Sequence, residues 1–294
     1  MDLTNVQWNH AYFQVRDLRF HLVIEGEGPT VLLLHGFPES WYSWRYQIKA
    51  LAEAGYQAVA MDLRGYNESD RPLKRSAYHI DHLCGDILGI IEALGKGRVH
   101  LVGHDWGGVL AWIFASRQPE RISSLSILNA PHPRIFVRHL LTNARQLRRS
   151  WYMFLFQLPW LAEYVFHRDP VGMFQRIFRG QARRKEMFPD DVIAVFTTAM
   201  MKPNAFWAGI QYYRESFSIS TIKEFIRFPK ISTPTMVIWG DRDVALGIEL
   251  CDDLEKQMAG PYRFHRIQGC SHWVQQEEPE TVNQFLLEFL SESR

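Results

Sequence analysis

Short, mostly apolar runs limit most what this chain can become. Val31–Leu34, the stretch Tyr56 to Asp62, Val99–Val102, Ile122–Leu128 and Thr235–Trp239 recur along it. Their apolar residues do not alternate strictly with polar ones, so neither face could sit comfortably in water. Each run predicts a strand covered on both sides, as in a parallel sheet. Helix-patterned segments lie between them: 41–54 before Gly55, 79–94 before Gly95, and 107–116. The alternation predicts an open α/β sheet with helices on both faces. Ahead of it, Tyr12 to Glu25 reads as two extended segments, and Gly26 with Gly28-Pro29 marks the turn that follows.

The alternation stops at Pro133. Up to about Phe217 the chain is helix-like and rich in aromatic residues, with seven in the 16 positions 151–166. It resumes at Thr235, and a helix near 246–258, a strand near 262–267 and a helix over 278–290 follow. The reading is a core, residues 1–133 and 218–294, split by a helical lid, residues 134–217. The aromatic stretch reads either as the wall of an apolar pocket between lid and core or, for most of its residues, as ordinary packing of the insertion onto the sheet.

Gly103-His104-Asp105-Trp106-Gly107 sits between a predicted strand and a predicted helix. It has the spacing of a G-x-S-x-G nucleophile elbow with aspartate in the serine position. Asp243, after the strand ending at Gly240, and His272, before the last helix, follow in the order nucleophile, acid, base. His272 is expected to deprotonate water and Asp243 to orient it, with Asp241 the alternative acid. The loop His35-Gly36-Phe37-Pro38 is expected to supply the Phe37 N–H to an oxyanion hole, and the nucleophile's successor, Trp106, the second N–H. His35, Pro38 and Trp106 are expected at the substrate pocket. The N-terminus of the helix that Asp105 starts is expected to help keep its carboxyl ionised.

An aspartate nucleophile narrows the reaction. Attack on saturated carbon by serine would leave an ether, which water and histidine cannot readily cleave. A carboxylate leaves an ester, whose carbonyl activated water can attack. Epoxides and alkyl halides are the two electrophile classes this suggests. A departing halide needs only N–H donors, whereas an epoxide's alkoxide needs a proton.

The motifs His35-Gly-Phe-Pro-Glu-Ser-Trp41, Asp62-Leu-Arg-Gly-Tyr-Asn-Glu-Ser-Asp70, Gly103-His-Asp-Trp-Gly-Gly108 and Asn129-Ala-Pro-His-Pro133 together resemble the α/β-hydrolase-fold epoxide hydrolases. The resemblance covers nearly the whole chain and implies the α/β-hydrolase fold with a cap. It also implies two lid tyrosines holding the epoxide oxygen. One matches Tyr152 in Trp151-Tyr-Met-Phe-Leu-Phe-Gln157; the other precedes an arginine and matches Tyr213, with Tyr212 adjacent. The segment after Asp243, Val-Ala-Leu-Gly-Ile, lacks a proline often seen there. A haloalkane or haloacid dehalogenase would share Asp105, Asp243 and His272. Against it stand the tyrosine pair, Phe37 where such enzymes commonly carry Asn or Glu, and Asn129, which offers no carboxylate. A non-catalytic binding protein on the same fold is a further alternative, opposed by the complete nucleophile, base and acid.

With 33 basic and 32 acidic residues the net charge is +1, which argues against nucleic acid as a partner. Cys84, Cys251 and Cys270 form no C-x-x-C pair, so neither a disulfide framework nor a metal site is expected. No cofactor is implied. Met1 to His10 shows no leader pattern, and a cytoplasmic enzyme, monomer or homodimer, is expected. The partners are a small apolar epoxide and water. Arg134, Arg138, Arg145, Arg148 and Arg149 read as a solvated helix face, so membrane contact is not expected. They belong nonetheless to a segment, Arg121 to Ala162, that holds six arginines and no acid.

Overall fold

The computed structural model describes residues 7–292, so the reading of Met1 to His10 as lacking a leader pattern falls mostly outside the described residues. Eight strands form one sheet in the order β1-β2-β4-β3-β5-β6-β7-β8. They are β1 (His10–Val15), β2 (Leu18–Glu25), β3 (Thr30–Leu34), β4 (Gln57–Met61), β5 (Val99–His104), β6 (Ile122–Leu128), β7 (Thr235–Gly240) and β8 (Tyr262–Ile267). β2 runs antiparallel to β1 and β4; all the other neighbours are parallel. The apolar runs fall where full cover is needed: every residue of β3, β5 and β7 is buried. Edge strand β1 alternates between exposed and covered positions, as a strand with one wet face does.

Helices α1 (Arg45–Glu53), α2 (Ile80–Ala93) and α3 (Trp106–Arg117) connect the strands of the first part. α3 lies across β5 and β6 and is apolar nearly all round, consistent with its burial between sheet and neighbouring helices. Between β6 and β7 every regular helix and strand is a helix. These are α4 (Pro133–Thr142), α5 (Ala144–Arg149), α6 (Trp151–Leu155), α7 (Leu161–Arg168), α8 (Pro170–Ile177), α9 (Asp190–Met201), α10 (Ala205–Ser216) and α11 (Ile219–Ile226). α4 to α10 cover the segment read as the lid, and α11 follows it. α12 (Val274–Glu277) and α13 (Pro279–Glu292) finish the described chain, with α13 against α1.

One expectation fails. Residues 246–258 form two 3₁₀ turns, Ile248–Cys251 and Leu254–Gln257, in place of one helix. Asp253 between them takes a left-handed φ of 64°, which ends helical propagation. Leu250 and Leu254 are both buried, as they would be on the covered side of a helix.

Lid and core are joined by hydrogen bonds as well as by packing. The Gln146 amide on α5 donates to the Ala245 carbonyl at 2.8 Å and accepts from the Gly247 N–H at 3.0 Å. Arg214 on α10 holds Glu163 on α7 at 3.0 Å inside the lid.

Candidate active site

β5 ends at His104 and α3 begins at Trp106, so one residue must make the whole reversal. Asp105 does so at φ 49°, ψ −120°, a conformation that side chains other than glycine rarely adopt. The glycines around it permit the close approach. A Cβ on Gly103 would strike the Gly107 carbonyl, and one on Gly107 would strike the Leu34 carbonyl at the end of β3. The turn lifts the Asp105 carboxylate above the carboxyl ends of the parallel strands. There its Oδ1 accepts the Phe37 N–H at 2.8 Å, and the Trp106 N–H also acts on the carboxylate.

His272 reaches the same point from the loop between β8 and α12. Its Nε2 lies 3.6 Å from Asp105 Oδ2, and its Nδ1 is 2.6 Å from Asp243 Oδ2. Asp243 stands in the loop after β7, and each of its oxygens is occupied. Oδ1 accepts the N–H groups of Ala245 and Leu246, both at 2.8 Å, and Oδ2 accepts the Asn129 amide at 2.8 Å. Asp241 is turned elsewhere, onto the Arg266 guanidinium at 2.7 Å and the Gly269 N–H at 2.8 Å. Of the two candidate acids, only Asp243 meets the histidine.

The electrostatics follow from burial and neighbouring charge. Burial works to raise Asp243, but the charge and hydrogen bond of His272 outweigh it and hold the carboxyl below its ordinary range. Burial works to lower His272, yet Asp243 and then Asp105 lift it to about 9. For Asp105, burial pushes the carboxyl above its ordinary value; His272, His104 and the Phe37 N–H act in the other direction. The main hold on its ionised form is therefore the imidazole, ahead of the start of α3.

Two buried groups carry weight that their sequence positions did not signal. Glu39 Oε2 lies 2.8 Å from His104 Nδ1 and accepts the Gly36 N–H at 3.1 Å, while Oε1 accepts the Gln276 amide at 2.8 Å. His104 Nε2 in turn lies 2.9 Å from the His272 carbonyl oxygen. One buried carboxylate thus joins the Phe37 loop, the Asp105 turn and the His272 loop. Asn129, noted in the sequence only for lacking a carboxylate, takes a φ of 39° and braces Asp243 while accepting the Gly240 N–H at 2.9 Å. For Asn129 the available signal was a polar residue directly after a buried strand; Glu39, five residues past β3, offered none.

Across from Asp105, the lid supplies Tyr152 on α6 and Tyr213 on α10. Their rings stand edge to face with centroids 5.8 Å apart, and Tyr213 packs on Trp106 at 5.0 Å and on Phe37 at 5.4 Å. Burial and the nearby Asp105 charge push both phenols above their ordinary value, so both keep their protons. Tyr212 points away, its hydroxyl donating to the Arg64 carbonyl at 2.8 Å.

Asp105, Trp106, Tyr152 and Tyr213 line one cavity of about 340 Å³, walled otherwise mainly by apolar residues such as Val109, Phe136, Leu140 and Phe225. Of the three residues expected at the pocket, Trp106 lines it. His35 and Pro38 are not among its walls. Both His35 ring nitrogens are spent, on the Gly36 carbonyl at 2.8 Å and the Leu63 N–H at 3.1 Å, so His35 ties β3 to the loop after β4. The aromatic stretch 151–166 divides. Tyr152 and Phe154 line the cavity, Phe166 stacks on Phe206 inside the lid at 4.1 Å, and Trp151, Trp160 and Tyr164 face outward. Among the described residues no group of three or more His, Cys, Asp or Glu side chains is placed to hold a metal.

A family model described as the alpha/beta hydrolase fold matches residues 29–279. The chain is 36% identical over 291 residues to epoxide hydrolase 4 of Homo sapiens, covering 96% of this chain and 79% of that one. It is 38% identical to epoxide hydrolase 1 of Caenorhabditis elegans, covering 97% and 70%. A variant of an epoxide hydrolase from Bacillus megaterium, solved with its product (R)-3-[1]naphthyloxy-propane-1,2-diol, superposes with a TM-score of 0.88. It shares 32% identity and covers 96% of this chain and all of that one.

Proposed function

The chain belongs to the α/β hydrolase fold family and, within it, to the epoxide hydrolases; from that premise we propose how this site converts a small apolar epoxide to a vicinal diol. The observation that carries the reading is a carboxylate, Asp105, 3.6 Å from an imidazole, with two protonated tyrosines in the opposite wall of the same apolar cavity. In this reading residues 134–217 act as the lid, and residues 1–133 with 218–294 as the catalytic core.

Asp105 attacks a ring carbon through a carboxylate oxygen, and the carbon–oxygen bond of the epoxide breaks. Tyr152 and Tyr213 hydrogen-bond the leaving oxygen, and one of them gives it a proton. The product of this half is an ester between Asp105 and the substrate. Esterification removes one of the two negative charges that hold His272 up at about 9, so the imidazolium releases its proton to the tyrosinate. The base is thus freed when it is needed.

His272 then takes a proton from water, and the hydroxide adds to the ester carbonyl carbon of Asp105. The Phe37 and Trp106 N–H groups already face this carboxylate and would hold the oxyanion. Collapse expels the diol oxygen, which takes the remaining proton of the added hydroxide. Asp105 returns as carboxylate and His272 as imidazolium, so atoms and protons balance. Asp243 keeps the imidazole oriented with Nε2 toward Asp105.

The test is diol formation from styrene oxide with Asp105→Ala as control, followed by one turnover in heavy-oxygen water. The covalent route places the label in the Asp105 carboxylate after that turnover. A first-turnover label found only in the diol, with Asp105 unlabelled, overturns it.

A further inference from the structure

The outer face of the lid has features that the hydrolytic cycle does not use. Trp160 is 82% exposed and Trp151 63% exposed, and Leu158, Leu161, Tyr164 and Val165 are exposed beside them in sequence. Their order is regular. Leu147, Trp151, Phe154 and Leu158 follow at intervals of four, three and four, and Leu161, Tyr164, Val165 and Arg168 on α7 at three, one and three. The first series runs across α5, α6 and the turn after α6 and the second along α7, and the apolar members of both are exposed. Trp160 also takes a left-handed φ of 59°, which a bulky side chain rarely adopts, and its indole is exposed. Phe154 and Leu141 belong both to this surface and to the cavity wall, so the surface borders the cavity mouth.

The charge along this segment is mainly basic. From Arg134 to Arg168 there are six arginines and one acid, Glu163. Glu163 is spent on Arg214, and Arg138 and Arg149 reach Asp253 and Glu249 on the core. Arg134, Arg145, Arg148 and Arg168 make no ion pair among the described residues, while Arg168 lies 5.9 Å over the Tyr164 ring. The near-neutral total of the chain conceals this asymmetry.

We propose that this face docks on the surface of an anionic phospholipid bilayer, with the indoles and leucines at the headgroup level and the free arginines on lipid phosphates. A second copy of the chain fits less well. A twofold contact would lay the patch on itself and oppose arginines with arginines, without a carboxylate between them. An anionic bilayer supplies the opposite charge, and tryptophan, tyrosine and arginine suit its interface. Docking would bring the cavity mouth against the phase in which apolar epoxides concentrate.

The experiment is flotation of the full chain with phosphatidylcholine vesicles, with or without phosphatidylglycerol, alongside tryptophan quenching by brominated lipid. Binding is expected with anionic vesicles, weakening in about 0.5 M salt, where screening is short-ranged. Arg145→Glu with Arg148→Glu should weaken it at least about 25-fold, taking about fivefold per basic charge. Trp160→Ser with Leu161→Ser should abolish quenching while turnover of a dissolved epoxide stays at the parent rate, which shows that the variant folds. Three results overturn the proposal: no binding of the parent chain to anionic vesicles, variants that bind as the parent does, or sedimentation showing a dimer that Trp160→Ser with Leu161→Ser dissolves. Because flotation reads no catalysis, its outcome is separate from that of the hydrolase reading.

Discussion

The two walls of the cavity are held in place by different forces. On the core side, hydrogen bonds set the position of every reacting group: Asp105 by the Phe37 N–H, Asp243 by two backbone N–H groups and Asn129, and His272 by Asp243 and, through its carbonyl, by His104. On the lid side, Tyr152 and Tyr213 are placed by ring edges and faces, against each other, Trp106, Phe37 and Phe156. Such ring contacts contribute about 0.5–1.5 kcal/mol each and tolerate small shifts. Buried charge-assisted hydrogen bonds tolerate little. In the proposed reading the hydrogen-bonded wall carries nucleophile and base, and the ring-packed wall carries the donors to the epoxide oxygen.

The contrast can be broken most strongly from the core. Asp105→Asn removes the nucleophile and should lower kcat about 10⁵-fold while leaving the lid intact, as steady-state diol formation would show. Asp243→Asn should cost about 10⁴-fold, because an amide no longer fixes the imidazole tautomer. Either variant within tenfold of the parent would mean that the hydrogen-bonded wall is not the catalytic one. The lid should yield less. Tyr152→Phe or Tyr213→Phe alone should lower kcat about 10²-fold, with the remaining phenol still able to donate, and the pair together more. Equal loss from either tyrosine and from Asp105 would erase the distinction.

Acidity sharpens the same contrast. The acid limb of kcat should lie below about 9, because the ester form of Asp105 no longer supports the His272 imidazolium. Stability should follow the free-state value. His272 has a folded pKa raised from 6.5 to about 9, so its contribution is complete below 6.5 and is lost as pH rises through about 9. Urea melts of the parent and His272→Gln should therefore differ most at low pH and converge above 9. The smallest effect belongs to the seam. Gln146→Ala removes two hydrogen bonds between α5 and the Asp243 loop and should cost about 1–3 kcal/mol in thermal or urea unfolding, with kcat changed severalfold at most.

The same division accounts for what the sequence made legible. β3, β5 and β7 were readable because a strand covered on both faces must be apolar throughout, and Asp105 because one residue between strand and helix needs small neighbours. Asp243, after β7, and His272, after β8, were read from the chain order nucleophile, acid, base. Pattern could not choose Tyr213 over Tyr212: adjacent residues on α10 are both buried, and only three-dimensional packing sends one hydroxyl to Arg64 and the other toward the cavity. The Glu39–His104 pair escaped because its partners are 65 residues apart. His35 was misplaced because a histidine after a strand looks the same whether it faces substrate or braces two loops. The turns at 248–257 were misread because spacing that buries Leu250 and Leu254 is met by 3₁₀ geometry as well as by a helix.

β6 and β7 are hydrogen-bonded neighbours running in the same direction. Parallel neighbours cannot be joined by a hairpin, so some crossover must leave one and return to the other. Here that obligatory crossover has grown into the lid, and its two ends are held close by the sheet whatever lies between them. A lineage can therefore lengthen, trim or exchange the crossover without shifting the register of any strand that carries Asp105, Asp243 or His272. Such an exchange would carry Tyr152 and Tyr213 with it, because both lie on the crossover.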